Sequence, residues 1–546
     1  MTRVLIIGAG GVFGSRLAEG LLRNGFEVVV AGRDAERAEA VAAQLRQGFP
    51  DAVLSTACVD TRTVAAKQLR ATRAAIVADC AGPFQAAEPT VAKAAIEAGL
   101  HYVDLADARD FVARFGGLDA VAQAAGVIAL TGCSSTPALS NAVLDDLTAG
   151  WREVVTVEAA ISPGARAPRG LSVMQAILSW LGGPTRVFED GRWRTRAGWS
   201  GLYRRDMGRA GCRWVSLCET PDLDLLPQRF AVRERAWFLA GLEPVAAHFG
   251  AWLLGRVSRL IGVRLTRFAP LLARLSNLLA PFGSDRGAMR VEAYGVDAQG
   301  CAVRATWLLV AEPGAGPMTP SLPAVAAIKA ISRGAVAPGA RACVGLLSRQ
   351  DIEAEMVGLG LATSSKVERA ALYRRAIGPD LDGLPAPIRA LHETPGRSVW
   401  TGRARAVGAD NPAAALVARL IGFAGDDPDC EARVDIDADG QRSVWRRRIG
   451  KGVFSSILSH PRDGGRIRER FGLATMELRL TPRNGRLVYE VLGWRLGPFP
   501  LPLSMAPRTE THERVDDHGR FVFDVDIRLP LIGRLASYCG WLERSG

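Results

Sequence analysis

The stretch that most constrains this chain is its opening, Val4-Leu5-Ile6-Ile7 followed by Gly8-Ala9-Gly10-Gly11-Val12-Phe13-Gly14. An apolar run with no polar residue reads as a strand covered on both faces, and Leu17, Ala18, Leu21 and Leu22 then recur at helical spacing. A strand, a glycine turn and a helix start together present bare backbone N–H groups to an anionic phosphate. A Gly-x-Gly-x-x-Gly match from Gly8 fails, because position 13 is Phe; what stands instead is Gly8, Gly11 and Gly14 at every third position, with Gly10 extra. That variant still supplies the tight turn, the close backbone approach to a diphosphate and the close helix–strand packing. Gly8, Ala9, Gly10, Gly11, Val12, Phe13 and Gly14 are therefore the expected phosphate-binding residues.

Strand and helix patterns alternate from there. Val28–Ala31 reads as a second strand and Ala35–Gln47 as its helix; Val53–Val59 and Ala74–Asp79 read as strands three and four. Pro89–Ala98 is helical and stops at Gly99, Tyr102–Leu105 is strand five, Leu118–Ala125 a helix, and Val127–Thr131 strand six. This is the doubly wound parallel sheet of a Rossmann fold over residues 1–150. At the end of strand two, where an NAD site carries an acid for the ribose 2′-hydroxyl, the chain has Ala31-Gly32-Arg33. A guanidinium can fork onto a 2′-phosphate, so the sequence favours NADP over NAD, with Asp34 read as the cap of the next helix.

The net charge of +12 rests almost wholly on arginine, which leaves nucleic acid, anionic lipid or an acidic substrate as partners. No zinc-finger, RNA-binding or basic-zipper pattern is present, so nucleic acid is not expected. Nine scattered cysteines without a C-x-x-C pair fit a reducing compartment with neither disulfides nor structural zinc. His392, His460, His512 and His518 lack metal-ligand spacing, so no metal is expected. The first strand starts at residue 4, which leaves no room for a targeting segment, and no apolar run is long enough to span a bilayer; a cytoplasmic protein is expected.

Asp79-Cys80-Ala81-Gly82-Pro83-Phe84, Glu88-Pro89-Thr90-Val91, Ala94–Gly99, His101-Tyr102-Val103-Asp104-Leu105 and Gly132-Cys133-Ser134 stand in this order. Together they resemble the signature of the saccharopine dehydrogenase-like NAD(P)-binding oxidoreductases. The resemblance is close over 1–150 and loose over 151–360. It implies a nicotinamide cofactor, a reductase or dehydrogenase activity, and a second domain closing over the nicotinamide. Carried onto this chain, Cys80, Gly82, Pro83 and Phe84 fall after strand four at the carboxyl edge, where the backbone can meet the ribose and nicotinamide. Asp60, after strand three, either reaches the adenine or caps a helix. Tyr102 and Asp104 share one face of strand five; either one of them faces the cleft as a proton donor, or both are structural. Cys133 reads as a small apolar residue.

Residues 151–362 read as a second, α+β domain for substrate or dimerisation, with a hairpin at Met289–Tyr294 and Ala302–Leu309. Helices at Pro323–Ser332 and Asp351–Leu359 can pack back onto the first domain. Arg166 and Arg169 are the cations at hand for a carboxylate. The spacing predicts an amphipathic helix over 252–279, with Leu254, Val257, Ile261, Leu265, Phe268, Leu272 and Leu275 on one stripe. Arg256, Arg259, Arg264, Arg267 and Arg274 fall in a separate arc of about 140°. Such a helix packs on the domain or a second subunit, lies in an anionic membrane interface, or covers an acyl-chain cleft. The last two suit a reductase of lipid-linked compounds, and some relatives of the family are similar to trans-acting enoyl reductases.

A turn-rich linker is expected at 363–387. Over 388–546 the pattern is antiparallel β, with alternating segments meeting at Asp439-Gly440 and Asn484-Gly485. A half-barrel or sandwich with an apolar interior follows. This portion resembles an uncharacterised domain fused behind such dehydrogenases, whose chemistry the resemblance does not imply. Two functions follow: an NADP-dependent reductase acting on a small or lipid-like enoyl, keto or imine compound, or a non-catalytic dinucleotide-binding scaffold whose β domain holds a hydrophobic ligand.

Overall fold

A computed structural model describes residues 1–168, 171–262, 265–440, 442–460 and 466–545. The chain forms two compact units: 1–149, 157–293 and 305–366 make the first, and 150–156, 294–304 and 367–546 the second.

The first unit is organised by a wholly parallel seven-stranded sheet. Its opening strands are β1 (Arg3–Ile7), β2 (Glu27–Gly32), β3 (Leu54–Cys58), β4 (Ile76–Asp79), β5 (His101–Asp104) and β6 (Ile128–Thr131); β1 leads into helix α1 (Val12–Arg23) and β2 into α2 (Ala35–Gly48). They lie side by side as β3-β2-β1-β4-β5-β6, so the strand order reverses between β1 and β4. Ile7 is level with both Ala31 and Asp79, which brings the carboxyl ends of β1, β2 and β4 together at that reversal. Val4 through Ile7 are completely buried, as a central parallel strand covered on both faces demands.

The seventh strand, Gly339–Ala342, joins β6 only after a long insertion. The helix Leu322–Ser332 returns onto α1, where Gly20 is the contact; a Cβ there would come within 2.8 Å of Val325 Cγ2. Asn24 Nδ2, just past α1, donates to Glu355 at 2.9 Å. Residues 1–149 share one compact body with 157–293 and 305–366, because the sheet takes its last strand and a covering helix from beyond 315. A second sheet is ordered Tyr203–Asp206, Cys212–Leu217, Arg235–Ala240, Glu153–Ser162, Gly287–Val296, Ala302–Ala311, Leu361–Arg369, all from the insertion but the last, which follows Gly339–Ala342.

Instead of one helix over 252–279 there are two, Val245–Ile261 and Ala269–Leu279. The first stops at Gly262, which takes a left-handed φ of 68° and cannot continue a helix. The stretch 363–387 is likewise not a bare linker. It holds the end of Leu361–Arg369, the helix Leu372–Ile377 and a 3₁₀ segment, Gly378–Gly383, with Leu372, Tyr373 and Leu381 buried.

In the second unit the sheet from Gly396–Val407 to Gly533–Ser545 has eleven strands among the described residues: the short Phe499–Leu501 pairs with Arg486–Leu496, and the other ten form an antiparallel meander, each pairing with the next. The last also pairs with the first, from Val399 against Ser545 to Val407 against Ser537. The sheet is thus a closed barrel rather than a half-barrel or sandwich, and closure leaves no free edge in the ring. Along Gly396–Val407, Ser398, Trp400, Ala404 and Ala406 are buried while their neighbours are more open, the alternation of a barrel wall.

Candidate dinucleotide and substrate site

The glycine turn sits at the strand-order reversal. Gly8 has φ of 82°, a region that penalises any side chain, and a Cβ on it would lie 2.9 Å from Ala81 N. A Cβ on Gly14 would lie 2.3 Å from Gly8 O, so the first turn of α1 is pressed against the loop. Gly11 N donates to Gly8 O at 2.9 Å and Gly8 N to Ala31 O at 2.9 Å, fixing the loop to β2. Gly11 is the N-cap of α1 and no side chain caps this end, so the helix's first N–H groups point into open loop. Ala9 is buried, while Gly10, Gly11, Val12 and Phe13 keep exposed surface.

Arginines gather beyond β2. Arg33 is exposed and its guanidinium makes no hydrogen bond among the described residues. Asp34 caps α2 by accepting from Arg37 N at 3.1 Å, which removes it as a ribose acid. Arg37 was not singled out from the sequence; its NH2 reaches back to Gly10 O at 3.2 Å. Nothing but its place one turn into α2 could have marked it. The N-cap of the next helix, Ala66–Ala71, is Ala65, so Asp60 is not a helix cap. It accepts a forked pair from Arg62, the nearest approach 2.7 Å, and that guanidinium, with Arg33 adding to the field, holds its carboxyl down at about 2.

After β4, Cys80 N donates to Ile7 O at 2.9 Å and Ala81 N to Asp79 Oδ1 at 2.9 Å, so Cys80 lies beside Gly8. Desolvation, with Asp79 and Asp104 close by, pushes the Cys80 thiol well up, out of the nucleophilic thiolate range. Gly82 and Pro83 form the turn that follows, and the Gly82–Pro83 peptide is cis. The Phe84 ring is buried 5.2 Å from that of Phe111, which leaves only its backbone for the turn's outer surface.

Tyr102 and Asp104 do not face a cleft, being 0% and 1% exposed. The Tyr102 hydroxyl donates to Asp104 Oδ2 at 3.1 Å and its ring stacks on Phe115. Asp104 Oδ1 accepts from Ala106 N, Thr131 Oγ1 and Gly132 N, at 2.9, 3.0 and 2.7 Å. It therefore ties the turns after β5 and β6 together. Burial pushes Asp104 up to about 6 and Asp79 to about 7. Cys133 is fully buried and its thiol raised for the same reason.

Just outside lies a polar group that the sequence did not disclose. Gln85 Nε2 donates to Asp107 Oδ1 at 3.2 Å. Arg109, largely buried, grips Asp224 through Nε and NH2 at 2.6 and 2.5 Å and reaches Glu219 Oε1 at 3.2 Å. Gln85 Oε1, Glu219 Oε2 and Thr220 Oγ1 are buried without a partner among the described residues. Unpaired buried polar atoms cost free energy unless a ligand or water engages them, so this edge has hydrogen-bonding capacity to spare. Arg166 is spent on Pro281 O at 3.2 Å, and Arg169 lies outside the described residues.

The two helices of 245–279 leave much of their apolar stripe bare. Leu254, Val257, Ile261, Phe268 and Leu275 are exposed, joined by Leu253, Leu260, Leu271, Leu278 and Phe282, whereas Leu265 is buried and Leu272 packs inward. Arg256, Arg259, Arg267 and Arg274 are exposed on the same elements; Arg264 lies outside the described residues. Among the described residues no helix is long and apolar enough to cross a membrane, and no cluster of His, Cys, Asp or Glu is placed to hold a metal.

A parallel sheet whose glycine turn meets a helix start at the strand reversal defines a dinucleotide-binding oxidoreductase fold. Residues 4–146 match the saccharopine dehydrogenase NADP-binding domain, in keeping with NADP as the cofactor, and residues 384–542 match a domain of unknown function, DUF4166. Among solved structures the chain is similar to apo saccharopine dehydrogenase (L-Glu forming) from Saccharomyces cerevisiae, at 15% identity and a TM-score of 0.49, over 67% of this chain and 100% of that one. An NADPH-bound short-chain oxidoreductase from Pseudomonas aeruginosa PAO1 is 22% identical with a TM-score of 0.17, over 19% of this chain and 52% of that one. No curated protein matches the sequence.

Proposed function

We propose that the first unit transfers a hydride between NADP and a small or lipid-like substrate carrying an enoyl, keto or imine group. The observation that carries the reading is the cradle at Gly8 and Gly14, where a Cβ would strike backbone and only a bare loop leaves room beside a helix start. Gly8 through Gly14 would hold the diphosphate, and Arg33 with Arg37 the 2′-phosphate. Asp60, fixed by Arg62, would flank the adenine side, and Cys80 through Pro83 the ribose beside the nicotinamide. Bound there, NADP supplies or accepts the hydride. The chain's own share is to orient: the buried Tyr102–Asp104 pair holds the two turns rigid, and Gln85, Glu219 and Thr220 receive the substrate's polar end.

The bare apolar face of 245–282 with its exposed arginines supports a lipid-like substrate, met through peripheral contact with an anionic membrane by a cytoplasmic protein. A second copy of the chain over the same face is the competing occupant, and a small molecule rather than nucleic acid is the substrate.

The test is consumption of NADPH fluorescence against a panel of enoyl, keto and imine compounds with short and long chains. Turnover of any member supports the reading. Saturable NADPH binding with no turnover across the panel would favour the non-catalytic scaffold.

A further inference from the structure

The barrel of the second unit encloses a cavity of about 860 Å³, within the range of sites that hold a whole small molecule. Its two ends differ. In a ten-strand meander the connections alternate between ends, so 408–426, 450–451, 472–473, 497–507 and 530–532 lie at one rim. That rim carries Leu420, Leu473, Phe499 and Leu531, with Val453 and Leu496 on the adjoining strand ends, all exposed. Leu420, Val453, Leu473 and Leu496 also line the cavity, so its apolar lining runs out to solvent there.

Polar groups lie deeper in the cavity. Arg447 donates to Ser456 Oγ at 2.8 Å and to Glu469 Oε1 at 3.3 Å, its guanidinium over the Trp445 ring. Toward the opposite end Glu513 accepts from the Tyr489 hydroxyl at 2.7 Å and pairs with His392 Nε2 at 2.6 Å, and the Tyr373 hydroxyl meets that of Tyr489 at 3.3 Å. Arg447, Glu469, Tyr489 and Glu513 all line the cavity, whereas the rest of the wall is mainly aliphatic and aromatic.

We infer that the barrel binds an elongated, uncharged lipid with a hydroxyl or carbonyl at one end, taken in through the apolar rim and lodged with its polar end among Arg447, Glu469, Tyr489 and Glu513. The charge balance selects against an anion. The two carboxylates already engage the Arg447 guanidinium and the His392 imidazole, so a carboxylate head would find no unengaged cation among these groups and would add a further negative charge to a low-dielectric chamber. A hydroxyl can accept from Arg447 or a tyrosine and donate to a glutamate, and a carbonyl can accept from either donor. The inference is independent of hydride transfer, and its test involves no nucleotide.

The full chain is titrated with Nile red, a neutral dye, and the bound dye is competed with hexadecanol and with hexadecanoate. We expect a saturable site from which hexadecanol displaces the dye at a concentration at least about tenfold below that needed for hexadecanoate. Thr511→Trp, which fills the cavity from its wall, should abolish that site while the apolar helices of 245–282 remain unchanged. Glu469→Gln removes one negative charge and should narrow the gap between the two competitors, a readout that serves even where Thr511→Trp does not fold. Retention of the dye site in a folded Thr511→Trp, tighter binding of hexadecanoate than of hexadecanol, or an unchanged gap in Glu469→Gln would overturn the inference.

Discussion

Replacing Arg33 with alanine should cost NADPH affinity and spare NADH. The guanidinium stands just past the end of β2, exposed, and makes no hydrogen bond among the described residues, so its removal breaks no hydrogen bond there and only weakens the field on Asp60. What it loses is one charge-assisted interaction with a 2′-phosphate. Such bonds contribute about 1.5–3 kcal/mol, and an exposed position argues for the lower figure. About 1.5 kcal/mol is a little over tenfold in Kd. Arg37→Ala removes a similar term but also the bond to Gly10 O, so it should weaken NADPH strongly and NADH slightly, through a loosened turn. The double variant should lose about a hundredfold for NADPH if the two terms add. Fluorescence titration of both nucleotides against the four proteins measures this directly. Equal losses for NADPH and NADH in Arg33→Ala, or no loss in either, would refute the assignment of the 2′-phosphate to this corner.

For the exposed helical face, flotation with anionic vesicles should carry the protein upward, and Arg256→Glu, Arg259→Glu and Arg267→Glu combined should abolish it; a protein that never floats ends the membrane reading. His248 gives a pH prediction. It is fully buried, Nε2 lies 3.0 Å from Ser216 Oγ, and burial lowers it from 6.5 to about 4. Below 6.5 the unfolded chain takes up a proton that the folded one refuses, so acidification toward pH 4 should remove about 3 kcal/mol of stability. Asp79 and Asp104 act in the opposite sense, their raised values losing stability as pH climbs from about 4 toward 7, so the His248 contribution is read as a difference. Urea melts of wild type and His248→Gln across that range should diverge, and parallel curves would sink the claim.

What the sequence discloses here is what repeats locally. Val4 to Ile7, the glycines after it and the strand–helix alternation each satisfy a short-range rule, and all appear where expected. The roles of Phe84, Tyr102 and Asp104 stay open in the sequence for one reason: a motif gives the order of residues along a strand end but not which side chains the core claims. The carboxylate and phenol that looked chemically able are the ones the turns use as buried ties. Gln85, Asp107 and Glu219 were invisible because the last comes from the insertion, far from the strand ends it faces in the same unit. The break at Gly262 was masked by an apolar period that continues across it.

Closure of the barrel is the largest gap, and its physics is plain. Alternation identifies strands, and Asp439-Gly440 and Asn484-Gly485 two of the hairpins, but the pairing of Gly396–Val407 with Gly533–Ser545 is a contact between the two ends of a ten-strand run. No turn encodes it. It is imposed because two open edges would otherwise present unpaired backbone, and because only a closed wall puts Trp400, Val434, Leu458 and Tyr538 into one interior. The same closure turns alternating residues into an enclosed chamber. Arg447 and Glu469, on separate strands, thereby become the one cation and one of the acids that line the cavity among the described residues.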